Sequence, residues 1–150
     1  MIGGMLAWHR WKLDWLDAAQ ITCLSGRGSR TATITPLERP GGVKALIVRR
    51  GDDAYVAEVR QPIAEDAGIC RGGVLISAVD LSRPPKRWAL RVLAPRPDDA
   101  SRWPRCGPRW NAALRPGSKG ASTLDLGAVR FRVVSAGPDG SYVVRAVRAR

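Results

Sequence analysis

Imidazole is almost absent from this chain: its 150 residues include one histidine, His9, and three widely separated cysteines, Cys23, Cys70 and Cys106, with no C-x-x-C pair. A zinc site needs three or four convergent His, Cys or carboxylate ligands, so these residues offer no recognisable metal-binding pattern. The same shortage, with no G-x-S-x-G turn, leaves no Ser-His-acid arrangement, and His9 reads as a surface or helix-packing residue among Trp8, Arg10 and Trp11. No G-x-x-x-x-G-K-[ST] loop is present to cradle a phosphate. No apolar run approaches the ~18 residues a membrane-crossing helix requires, which argues against a membrane protein. The stretch Met1 to Leu16 has no basic region ahead of an apolar one, so as written it carries no export signal.

Lysine is scarce too. Of 25 basic residues only four are Lys, and with 13 acidic residues the net charge is +12. Such a charge attracts polyanions. The Arg skew also looks like coding bias, however, and the charges are scattered, so charge alone does not select nucleic acid as a partner. The acidic pairs Asp52-Asp53, Glu65-Asp66 and Asp98-Asp99 lack calcium-loop spacing and read as solvated turn residues.

A single domain of mainly β class is expected from the pattern. Between Met5 and Asp17, Trp8, Trp11 and Trp15 recur at helical spacing, so a short helix with one indole stripe, largely buried, is anticipated. Everything after Asp17 reads as strand: 30–35, 44–49 and 54–60, the last two joined by a Gly51-Asp52 hairpin, then 73–79, 88–93, and a closing hairpin of 128–135 and 141–149. In that hairpin Val129, Phe131 and Val133 alternate with Arg130 and Arg132, one face inward and one outward. The total is seven to nine strands in a twisted antiparallel sheet or small β-sandwich. The helix, 1–17, forms one unit and 18–150 the β-rich domain, with a Pro/Arg-rich loop at 95–118. Inside the strand 54–60, Glu58 shares a face with Arg60 and needs a partner, which Arg60 can supply. Cys70 and Cys106, both in Gly/Pro/Arg-rich loops, are the favoured disulfide pair, set against three buried free thiols.

Two stretches resemble a known family. Ala7-Trp8-His9-Arg10-Trp11-Lys12-Leu13-Asp14-Trp15 is similar to the A-W-x-[KR]-[WY]-K-x-G-W segment of secreted bacterial metalloproteases of the immune inhibitor A type, with Asp14 where the family usually has Gly. Tyr55 to Gln61, with Glu58 and Arg60, then an Asp at 66 and Gly73 through Asp80, is similar to the family's E-Y-x-x-E-x-R-Q … G-L-L-I-x-H-V-D, with Ala78 where many members have His. The resemblance implies that Trp8, Trp11, Lys12, Trp15, Tyr55, Glu58, Arg60, Gly73 and Asp80 are framework residues. It implies an extracellular, non-catalytic accessory segment that partners a metalloprotease catalytic domain in cis or in trans, with the helix at 1–17 belonging to the end of such a catalytic domain. The family's H-E-x-x-H helix would lie ahead of Met1, so zinc is implied only for a full-length relative and no cofactor for this chain. The alternative from the residues themselves is a free-standing β module that binds a polyanion, nucleic acid or glycan.

Overall fold

Sheet topology explains why some strands of this chain alternate in burial and others are buried on both faces. The computed structural model describes residues 4–69, 71–82, 89–93, 113–117 and 121–149. Among these residues helix α1 (Ala7–Lys12) is followed by nine strands: β1 (Ile21–Leu24), β2 (Gly28–Ile34), β3 (Ala45–Arg50), β4 (Asp53–Arg60), β5 (Gly73–Asp80), β6 (Leu90–Leu93), β7 (Thr123–Asp125), β8 (Val129–Ala136) and β9 (Tyr142–Arg148). They form a five-stranded sheet, β1-β3-β4-β5-β6, and a four-stranded sheet, β2-β9-β8-β7. The mainly β expectation holds, as a small sandwich.

Between the sheets, Leu46, Val48, Ala57, Val59, Val74 and Ile76 of the first meet Ile34, Phe131, Val133, Val144 and Ala146 of the second. The other face of the five-stranded sheet is covered as well: Ala45, Ile47, Ala54, Val56 and Val79 pack with Ala7, Leu16 and Leu37, and Trp8 and Trp11 lie against them. Covered on both sides, β4 and β5 are buried along nearly their whole length, while β8 and β9 face the core on one side only and alternate. The layers therefore run α1, five-stranded sheet, four-stranded sheet, and no described residue outside that sheet packs on the last layer's outer face in either core.

Four sequence expectations need correction. The sheets are not wholly antiparallel, because β1 pairs in parallel with β3: the chain leaves β1, crosses into the second sheet as β2 and returns as β3. The helix stops at Lys12 rather than running to Asp17, and Trp15 is 64% exposed instead of sharing a buried stripe. The loop at 95–118 is not loop throughout: Leu114 is fully buried, and its N–H and C=O both bond Val74 at the start of β5, 2.7 and 2.9 Å. That approach needs Gly73, whose φ is 149° and where a Cβ would meet the Leu114 carbonyl oxygen at 2.7 Å. Finally, the thiols are not all buried, since Cys23 is free and exposed on β1. Cys70 and Cys106 lie outside the described residues, as do Trp88, Trp103, Trp110 and the Asp98-Asp99 pair.

Candidate functional site: the helix clamp

A six-residue helix is marginal alone and must be held by its surroundings. Its C-terminal end is closed by a Schellman arrangement in which the Trp15 N–H donates to the Arg10 carbonyl, 2.8 Å, and the Asp14 N–H to that of Trp11, 3.1 Å. This turn places Asp14 in the left-handed region, φ 57°, a conformation that Gly enters freely and Asp tolerates. It also explains why the helix ends where it does, and it swings Trp15 out of the stripe. Trp8 and Trp11 meet edge to face with centroids 5.5 Å apart, and the Lys12 ammonium lies over both rings at 4.9 and 4.7 Å.

At the other end the helix has no local cap. Leu6 occupies the N-cap position, where no side chain can accept a hydrogen bond. The Ala7 N–H donates instead to Oε2 of Glu58, 2.8 Å, on β4. A buried carboxylate 51 residues away thus satisfies an orphan donor and places negative charge at the positive end of the helix.

Arg60 organises the rest. It lies two residues beyond Glu58 on the same strand face and donates to Glu58 Oε1 at 3.0 Å, the pairing expected from the sequence. The same guanidinium donates to Asp66 Oδ1 at 2.6 Å, to the Gly4 carbonyl at 2.7 Å and to the Met5 carbonyl at 3.0 Å, while its Nε engages Asp66 Oδ2. The two terminal nitrogens thus make four hydrogen bonds, and Nε is in ion-pair contact with Asp66. The Gly4 N–H returns a bond to Asp66 Oδ1, 2.8 Å, and Arg10 reaches the exposed Glu65 at 3.0 Å. Residues 4–7 are consequently fixed to β4 and to the turn Ala64–Asp66 by main-chain and side-chain bonds together.

A third carboxylate, Glu38, enters from the loop after β2. Its side chain is 1% exposed and lies 3.6 Å from Arg10 and 3.8 Å from Arg60, with neither oxygen in a hydrogen bond. Burial pushes its pKa up to about 7; Arg60 opposes the rise, and the charge of Asp66 adds to it. Glu58 is also pushed up by burial, against the pull of Arg60 and of the Ala7 N–H. Lys44, buried beside them, donates to Thr35 Oγ1 at 2.8 Å, to the Pro36 carbonyl at 2.9 Å and to that of Arg39, and burial lowers its pKa.

The arrangement is a clamp whose charged atoms are turned inward and covered by residues 4–7. Of the residues the sequence singled out, it brings together Trp8, Trp11, Lys12, Glu58 and Arg60. Tyr55 packs at the margin of the inter-sheet core, Gly73 admits Leu114, and Asp80 accepts from the Ser82 N–H and hydroxyl at the far end of β5, so these three lie elsewhere. Sequence reasoning took Asp66 for a solvated turn residue, whereas it is fully buried on Arg60. It missed Glu38, Lys44 and the role of Arg10; the available signal was an excess of buried charge on β4 needing partners from elsewhere. Among the described residues no group of three or more His, Cys, Asp or Glu could hold a metal ion. No helix among these residues is long and apolar enough to cross a membrane. No protein-family model matches the chain, and no curated protein matches it.

Proposed function

We propose that this chain serves as a non-catalytic accessory β domain of a secreted metalloprotease of the immune inhibitor A type, and that α1 is the element on which the catalytic domain rests. One observation carries the reading: the two stretches that resemble the family meet at the clamp, where the Ala7 N–H bonds Glu58 and Arg60 grips the carbonyls of residues 4 and 5. Further support comes from Asp14, which occupies in the left-handed region the position where the family usually has Gly. Beyond the clamp, Met5, Leu13 and Trp15 are left exposed at 44, 49 and 64%, an apolar edge available to a neighbour of complementary surface.

The test uses an isolated H-E-x-x-H catalytic domain of this family, supplied in trans. Its addition is expected to protect Trp15 from acrylamide quenching, and Leu13→Ser with Trp15→Ser is expected to abolish the association without lowering the melting temperature. A chain that binds no hydrophobic dye, stays monomeric and leaves Trp15 equally quenchable with and without the catalytic domain would overturn the reading.

A further inference from the structure

The outer face of the four-stranded sheet is a broad surface that, among the described residues, neither core uses. In the register of this sheet Arg132 on β8 stands directly opposite Arg145 on β9. The row continues outward to Thr31 on β2 and Thr123 on β7, all four side chains exposed. Like charges directly opposite each other on antiparallel strands are destabilising, so a sheet built only for stability would offset one of them with a carboxylate. None is available. The acid on this face, Asp125 on β7, is engaged by Arg130, whose Nε donates at 2.9 Å, and by the Gly127 N–H, and these bonds hold it below the usual carboxylate range. Arg145 reaches only the Ser29 hydroxyl at 3.5 Å, and Arg132 has no hydrogen-bond or ion-pair partner among the described residues.

We propose that this row is a binding surface for an anionic polysaccharide, one carrying sulfate or carboxylate groups, laid across the strands. The two guanidinium groups take the anionic substituents in bidentate fashion, and the flanking threonine hydroxyls meet sugar hydroxyls. Three inter-strand spacings give the row a length of roughly 14 Å, enough for a short oligosaccharide. Nucleic acid fits less well: the aromatic residues of β8 and β9, Phe131 and Tyr142, point into the core, leaving no ring on these strands for base stacking, and the surface is a flat sheet with no helix or ribbon to enter a groove. The surface is independent of the helix clamp, which lies beyond the other sheet.

The probe is a heparin octasaccharide, titrated against the intact chain by fluorescence anisotropy at two ionic strengths. The wild-type chain is expected to bind, with affinity falling steeply as salt rises. Arg132→Gln with Arg145→Gln is expected to weaken binding by at least about tenfold and to lower the salt slope by about two, with no loss in melting temperature because a repulsive pair has been removed. Arg49→Gln with Arg50→Gln removes the same charge from the exposed end of β3 and is expected to change affinity less than about twofold. Equal losses in the two double variants would reduce the effect to net charge and overturn the site. Absence of binding at low salt would do the same, and tighter binding of single-stranded DNA of equal charge would reassign the surface to nucleic acid.

Discussion

Replacing Arg60 with Met tests the clamp at its centre. Met keeps the length of the side chain but removes every donor, leaving Glu58 and Asp66 buried with their principal cation gone and freeing the carbonyls of residues 4 and 5. Breaking a buried ion pair from one side costs about 3–5 kcal/mol, a large part of the roughly 5–15 kcal/mol that stabilises a domain. At about 2–4 °C per kcal/mol for a chain of this size, the melting temperature should fall by roughly 10 °C. The loss should also depend on pH. Arg60 pulls the Glu58 and Glu38 pKa values down, so without it both carboxyls bind a proton more readily in the folded chain than in the unfolded one. A carboxyl of raised pKa favours the folded state at low pH, and that contribution disappears as the pH climbs through the folded pKa. The variant should therefore be more nearly native at about pH 5 than at about pH 8. Urea unfolding followed by tryptophan emission reads both effects, and limited proteolysis before residue 7 reports release of the N-terminal segment. Adding Glu58→Leu should recover part of the loss by removing the stranded charge. A loss under about 1 kcal/mol, equal at both pH values, would refute the reasoning and reduce the clamp to a surface ion pair.

Three further outcomes follow from the same geometry. Glu38→Gln removes a carboxyl whose pKa rises from 4.5 to about 7 on folding; the wild-type chain should lose up to about 3 kcal/mol of stability as pH rises across that interval, and the urea midpoint of the variant should be flatter there. Gly73→Ala drives a methyl toward the Leu114 carbonyl at a φ that disfavours Ala, and should cost about 2 kcal/mol in a thermal melt, with Leu114 displaced from β5. Asp14→Gly relieves a left-handed Asp at the helix end and should raise stability by roughly 0.5 kcal/mol, visible as a small upward shift of the melting temperature.

Period and turn chemistry made much of the sandwich readable before any coordinates. The alternation in β8 placed Phe131 inside and Arg132 outside, Gly51-Asp52 marked the β3–β4 hairpin, and Glu58 found Arg60 because a strand carboxylate inside an apolar run had a cation two residues on. What escaped is non-local. β1 has only four residues, and its partner, β3, is reached by way of the other sheet, so neither its identity as a strand nor its parallel pairing leaves a local mark. Asp66 looks like any turn acid, since only the tertiary fold brings Arg60 over it, and Glu38 sits in a Pro- and Gly-rich loop whose path is set by Lys44 bonding three of its oxygens. The helix was read too long because the Trp spacing continues through Trp15 while the backbone reverses at Asp14, a residue whose side chain gives weaker warning of a left-handed turn than Gly would.

The layered order of the fold separates its two candidate surfaces. Helix α1 with its exposed edge lies outside the five-stranded sheet, and the Arg132–Arg145 row lies outside the four-stranded one. With sheets about 10 Å apart and a helix about 10 Å across, the two surfaces stand roughly 20 Å from each other on opposite sides of the domain. An occupant of one neither blocks nor touches the other, so a chain held on a neighbouring domain through α1 could still present its cationic face to a polymer. The buried charge is distributed to suit this arrangement. Carboxylates and guanidinium groups are concentrated under α1, where they fix the orientation of the docking element relative to β4, while the outer face keeps two arginines without a carboxylate between them. Electrostatics in this domain thus fixes geometry on the α1 side and leaves attraction available on the other.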